Sequence, residues 1–287
     1  MRRLSRQLVL VLLIAFALPC FAAHRKFLMW KVTSPTATVY LVGSIHLADP
    51  SIYPLPSMVE KAFADSQVLA VEADVSNFNL DEAVGLLGEY GMYTDGDSLS
   101  NHVSRETNAD LDAFCTKHQL PREMLDTMKP WMVALTVEAM AAQSSGFDPS
   151  AGIDMHFLNS ANGKRVDQLE SVEFQFKLLA SASDSEQSQF LASALKESGQ
   201  IGDTERAYEN GDINALSSEI SRQEPRSYYQ RLLDDRNPAM TDKVAAYLGG
   251  HETAFVVVGI AHVIGDHGIA KSLERKGYKV EQNTYDW

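Results

Sequence analysis

Two tetrapeptides of the same form, Gly43-Ser44-Ile45-His46 and Gly259-Ile260-Ala261-His262, each follow an apolar, β-branched run, and an acid, Glu72, follows a third such run. Glycine lets a chain leave a strand tightly and allows close backbone approach, so the histidine three residues on is held over the end of a sheet. Two neutral imidazoles and one carboxylate are the ligand set of a catalytic zinc-type or manganese-type site that keeps a position open for water. A single loop histidine is more often a solvated or hydrogen-bonded structural residue. The repetition of Gly-x-x-His at two strand ends, with an acid at a third, is what points to a site.

Other residues stand behind these. In Gly152-Ile153-Asp154-Met155-His156-Phe157 an acid and a histidine lie two apart amid apolar neighbours. A buried acid needs a partner, so Asp154 either orients a metal-ligating histidine or binds a local backbone amide, the structural role being preferred. Arg236-Asn237, before Pro238, reads either as a guanidinium presented to a developing oxyanion or as an ordinary helix-surface pair. His267, five residues after His262, is a supporting residue or a helix start. His102, His118 and His251 lie in polar, helix-flanking contexts where solvated side chains are expected, and Cys115 lies on a helical pattern as a buried, inert thiol. There is no Gly-x-Gly-x-x-Gly, Walker A, Gly-x-Ser-x-Gly or His-Glu-x-x-His, so nucleotide-dependent chemistry and a serine hydrolase of the common fold lose support.

Strands must carry these residues. Thr38 to Val42 alternates and breaks at Gly43, Pro56 to Ser66 has Met58, Ala62 and Phe63 at helical spacing, and Val68 to Val71 is an apolar run that ends at Glu72. Strand, helix, strand in so short a stretch is a βαβ unit, and its continuous apolar strands suit a parallel sheet covered on both faces. From Asn79 to about Ala142 the spacing predicts three or four helices, Lys164 to Leu169 a short strand, and Ser171 to Leu248 further helices with caps at Asp212, Pro225 and Pro238. Thr253 to Gly259 reads as a buried strand, Ile269 to Lys276 as a helix closed by Gly277, and Tyr278 to Glu281 as a final strand. The expected fold is α/β, a single domain over 24–287: a small, mostly parallel sheet built from both ends of the chain, with a large helical insert at about 79–248. In such sheets ligands sit in the crevice at the carboxyl ends of the strands, where His46, Glu72 and His262 fall.

The chain has 287 residues, 45% hydrophobic and 22% charged, which excludes collagen-like, low-complexity and wholly disordered classes. With 25 Lys+Arg against 38 Asp+Glu the formal net charge is -13, without the basic surplus that phosphate neutralisation requires, so nucleic acid is not expected as a partner. Cys20 and Cys115 lack CxxC spacing, so any metal must use histidine and carboxylate. Arg2, Arg3 and Arg6 precede the apolar run Leu8 to Leu18, Pro19 and a small-x-small site at Cys20-Phe21-Ala22, the pattern of a signal peptide over 1–23. That run spans roughly 16 Å as a helix against a hydrocarbon core of ~30 Å, and no later stretch is longer, so no stable membrane span is expected after cleavage. Cleavage removes three arginines and no acid, taking the charge from -13 to -16, and places the protein in the periplasm or outside the cell.

With those residues in place, the chain resembles the TraB/GumN family in its exported bacterial branch. The likeness runs through Val39 to His46, Val71-Glu72, Gly152-Ile153-Asp154, Leu169-Glu170-Ser171, Arg236-Asn237, Val257 to His262 and Gly277 to Val280, in that order. The family is related to the Tiki proteins, metal-dependent proteases in which two Gly-x-x-His motifs and a glutamate form the active site with manganese or cobalt. More distantly it is similar to erythromycin-esterase and ChaN-like proteins, which place an active site or a haem-binding site on a similar sheet. The resemblance implies that His46, Glu72 and His262 form the metal or catalytic set, with Arg236 beside them.

The expected function is a metal-dependent hydrolase of the bacterial envelope, by preference a peptidase, acting on a peptide or small-ester substrate. His46 and His262 would hold a divalent ion, manganese, cobalt or zinc, with Glu72 as third ligand or general base and Arg236 supporting the oxyanion. Asp154, Asn237 and His267 would stand behind them. Two alternatives stay open: a metal-free, esterase-like hydrolase with His46 and Glu72 as general base, and a non-catalytic protein that binds haem, metal or an envelope partner.

Overall fold

Apolar β-branched runs become strands here, and their pairing decides what they carry. The computed structural model describes residues 25–76, 79–94, 96–198, 203–223 and 225–286; the signal peptide expected at 1–23, and His24, lie outside the described residues. The strands are β1 (Lys26–Thr33), β2 (Thr38–Ser44), β3 (Val68–Val71), β4 (Arg165–Gln168), β5 (Thr253–Gly259) and β6 (Lys279–Asp286), in one sheet of order β4-β3-β5-β2-β1-β6. β2, β3, β4 and β5 pair in parallel, while β1 is antiparallel to both β2 and β6. The mixed but mainly parallel sheet, built from both ends of the chain, is the α/β architecture expected.

Two strands depart from the expectation. β1 stands where no strand was anticipated: Phe27 to Trp30 is buried without alternation, and a tight turn, Ser34 N–H to Ala37 O, returns the chain as β2. β6 runs on to Asp286 because β1 offers it a partner along its whole length. Its alternating polar residues give no apolar signal of their own, so only the long-range pairing reveals the strand.

The helices are α1 (Ser57–Asp65), α2 (Leu80–Leu86), α3 (Arg105–His118), α4 (Arg122–Asp126), α5 (Pro130–Ser144), α6 (Ile153–Asn159), α7 (Val172–Ala180), α8 (Asp184–Glu197), α9 (Asp203–Glu209), α10 (Ile213–Arg222), α11 (Arg226–Leu232), α12 (Asn237–Leu248), α13 (Ile260–Val263) and α14 (Ile269–Arg275). The anticipated cap at Asp212 accepts from Ala215 N–H, Pro225 precedes α11, and Pro238 lies in the first turn of α12. One core surrounds the sheet: α1 and α6 meet β5 where Phe63, Phe157 and Phe255 pack with ring centroids 4.7 to 5.3 Å apart. A second core lies among the helices, around Leu111, Trp131, Phe190, Leu191 and Tyr228. Cys115 is buried in it, and burial pushes its thiol pKa up, as suits an inert side chain. Among the described residues no helix is long and apolar enough to cross a membrane.

Candidate active site

The parallel register sets three strand ends side by side: Gly43 opposite Val258, Ser44 opposite Gly259, and Val71 opposite Val257. Glu72 leaves β3 at this level, His46 follows β2, and His262 lies in the short α13 that follows β5. The motif glycines are demanded by packing. A Cβ on Gly43 would collide with Ile260 of the other motif, and one on Gly259 would press to 3.2 Å of Glu72 Oε1. The two Gly-x-x-His segments and Glu72 therefore interlock.

His262 is buried, and its tautomer can be read from its neighbours. Asn237 at the start of α12 donates through Nδ2 to the His267 carbonyl at 2.9 Å, which fixes the amide and turns Oδ1 toward His262 Nδ1 at 2.7 Å. Nδ1 is then the protonated nitrogen, and Nε2 keeps its lone pair, 3.9 Å from Glu72 Oε1. Burial holds the His262 pKa below its ordinary value, so the ring is neutral.

His46 is anchored in the same way by a different acceptor. Asp154 in the first turn of α6 takes the Ser44 hydroxyl on Oδ1 at 2.7 Å and His46 Nδ1 on Oδ2 at 2.9 Å. The loop is seated on α6 itself: Ile153 N–H donates to Ile45 O, and a Cβ on Gly152 would strike the His46 carbonyl. Asp154, first by its charge and then by its hydrogen bond, raises the His46 pKa to about 9, although the side chain is 72% exposed. The structure thus pairs Asp154 with a histidine side chain rather than with a backbone amide. His156, two residues on, turns away to Glu60 Oε1 at 2.8 Å and stacks on Tyr53.

Glu72 is held from three directions. Gly259 N–H donates to Oε1 at 2.6 Å, and Arg236 Nη2 and Gln175 Nε2 donate to Oε2 at 3.0 and 3.3 Å. Burial opposes its charge, but His262, His46, Arg236 and the Gly259 N–H outweigh burial and keep the carboxyl below its usual range. Arg236 is only 10% exposed and has a second acid: Nε and Nη2 grip Glu170 at 3.0 and 2.5 Å, while Nη1 donates to Leu232 O at 2.7 Å. Arg236 is therefore no surface residue, and most of its donors are spent inside the protein.

As a donor set for a divalent ion, the chemistry fits: two imidazoles with Nδ1 anchored on oxygen, neutral His262 with its Nε2 lone pair and His46 able to offer one when an ion displaces its Nε2 proton, and one anionic carboxylate. Glu72 and His262 form the close pair of that set. Among the described residues, no three His, Cys, Asp or Glu side chains are gathered tightly enough to hold an ion.

Of the expected site residues, His46, Glu72, Arg236 and His262 fall at one end of the sheet, with Asp154 and Asn237 each on a histidine ring nitrogen. His267 takes part through its carbonyl, its side chain being exposed. Two of the histidines expected to be solvated are not: His102 bridges Asp97 and Asp184 and stacks on Tyr93, and His118 stacks on Phe114 with Nε2 buried. Tyr93 reaches His102 from outside its helical turn, whereas Phe114 covers His118 from one turn earlier in α3. Sequence reasoning missed Glu170, Gln175 and Ser44 as site residues. Glu170 had a visible signal, an acid two residues past the end of a fourth parallel strand, where Glu72 directly follows β3.

Known proteins are similar to this chain over most of its length. An uncharacterized protein, YbaP, of Escherichia coli (strain K12) is 26% identical over 244 residues, 82% of this chain and 87% of the relative, and the YbaP of Shigella flexneri is equally similar. An uncharacterized protein of Treponema pallidum (strain Nichols) is 20% identical over 282 residues, 91% of this chain and 84% of its own. No solved structure matches the chain. The model of the TraB/PrgY/gumN family matches residues 28–282, a span that takes in both Gly-x-x-His motifs and the acids and arginine between them, and the chain belongs to that family.

Proposed function

We propose that this protein is a metal-dependent hydrolase, a peptidase of the bacterial envelope reached through the N-terminal signal peptide. The observation that supports this most is that two histidines from separate strand ends each have Nδ1 held by an oxygen acceptor, with no hydrogen bond to Nε2 among the described residues. That is the anchoring of metal-ligating histidines, and it has little purpose for a histidine that only fills space. His46 and His262 would hold the ion through Nε2, with Glu72 as third ligand or general base. A bound divalent ion supplies a water acidified toward ~7 and a Lewis acid for the scissile carbonyl.

The chain's own residues do the rest. Asn237 and Asp154 hold the two rings, and Gly259 N–H and Arg236 keep Glu72 ionised in a buried place. The elemental metal content of the protein after loading with manganese, cobalt or zinc tests this. About one ion per chain is expected in the wild type and none in His46→Ala or His262→Ala, with peptide hydrolysis lost in both. A variant that kept its metal and its activity would sink the assignment.

A metal-free reading has an observation of its own. With its pKa raised to about 9 by Asp154, His46 is an imidazolium at neutral pH and is fit to donate a proton to a leaving group, while Glu72 and neutral His262 accept one from water. Hydrolysis that survives exhaustive chelation would favour it.

A further inference from the structure

Glu170 touches neither histidine, yet it makes the strongest grip in the site. Its carboxylate takes Arg236 side-on, Nε at 3.0 Å and Nη2 at 2.5 Å, whereas Glu72 receives a single bond from the same Nη2 at 3.0 Å. Side-on pairing fixes the plane of a guanidinium, which a single bond does not. Glu170 is itself placed by the sheet: Leu169 N–H donates to Val71 O and Glu170 N–H to Glu72 O, so the chain past β4 runs beside the chain past β3 as far as the two acids. Gln175, one turn into α7, reaches both carboxylates at 3.3 and 3.5 Å. The side chains of Glu72, Glu170 and Arg236 are 9 to 11% exposed, and Gln175 is partly buried.

We infer that Glu170 is a positioning residue that holds Arg236 in place and takes up part of its charge, leaving Glu72 anionic and oriented without being fully neutralised. Two carboxylates share one guanidinium. With Glu170 neutral, Arg236 would serve Glu72 alone, and that carboxylate would become both a weaker ligand and a weaker base. The inference rests on the proposed metal-dependent reading for its consequence, but the grip itself stands independently of any metal.

Two measurements on the purified protein separate these. The affinity for Mn²⁺ alone, by competition with a chelating dye, is expected to fall about 10- to 100-fold in Glu170→Gln, as for other residues supporting a metal ligand, to recover in part in Glu170→Asp, and to be unchanged in Glu173→Gln on the exposed face of α7. Wild-type affinity in a folded Glu170→Gln protein would overturn the inference. If the wild type binds no Mn²⁺, it is the metal-dependent reading that fails, and ¹⁵N NMR of the Arg236 Nε–H, assigned through Arg236→Lys, then decides on Glu170. A slowly exchanging signal should persist in the wild type and in Glu72→Gln and vanish in Glu170→Gln; persistence in Glu170→Gln would overturn the inference.

Discussion

Glu72 and Glu138 are both drawn out of water, and their carboxyls move in opposite directions. Glu72 stays below the ordinary range although burial alone would raise it, because His262, His46, Arg236 and a backbone N–H surround it. Glu138, on α5 among the helices, is pushed up to about 7 by burial and then by Glu197 at the end of α8. Glu197 is itself raised by burial and by Glu219, and Lys196 and Arg222 do not reverse that. The sheet end surrounds Glu72 with partners, whereas the charges that act on Glu138 and Glu197 are led by other acids. Buried charge is retained where it is paired and hydrogen-bonded, and where it is not, the group moves toward its neutral form.

The comparison is broken most directly by removing the partner. Arg236→Ala would leave Glu72 and Glu170 buried side by side without the guanidinium they share, at a cost of about 3–5 kcal/mol, or roughly 6–20 °C in Tm for a chain of this size. A shift of less than about 2 °C would show that the pairing contributes little.

Glu138→Gln should do the reverse and stabilise. The folded-state pKa of Glu138 lies above its unfolded value, so the folded chain binds more protons between the usual carboxylate range and about 7, and stability falls as pH rises through that window. The gain from Glu138→Gln should therefore be absent near pH 4 and full above pH 7, at up to ~3 kcal/mol on a conversion of about 1.36 kcal/mol per pH unit. Denaturant melts at the two pH values check it, and an equal gain at both would remove the titration from the explanation.

Asp154→Asn probes the more exposed acid of the site. Without the carboxylate on Nδ1, the His46 pKa should drop from about 9 toward its ordinary 6.5, which NMR titration of the ring protons reads directly. An unmoved value would mean that Asp154 is not its source. The smallest effect is expected for Glu173→Gln, which removes an exposed pair with Lys177 one turn along α7 and should shift Tm by less than about 1 °C.

Much of the arrangement was legible before any coordinates. Strand runs ending in Gly-x-x-His, and an acid at the end of a third, marked the level at which side chains converge, since period-2 and continuous apolar runs report burial locally. β1 and β6 were not legible in full, because β1 and the polar edge strand β6 acquire their meaning only from pairing with each other across the length of the chain. The grip of Glu170 on Arg236 likewise joins residues 66 apart, and no local spacing reports it.

By itself, then, the sequence determined the residue types at the strand ends, the glycines that let two loops interlock, and an α/β fold with helices between its halves. Tertiary structure alone decided the states of those residues. What holds Nδ1 of each histidine, and which carboxylates share Arg236, are set by neighbours within about 3 Å that come from other elements. Hydrogen bonds and charge pairing fall off steeply with distance, so chemistry follows contact in space, while sequence periodicity reports only which face of an element is buried.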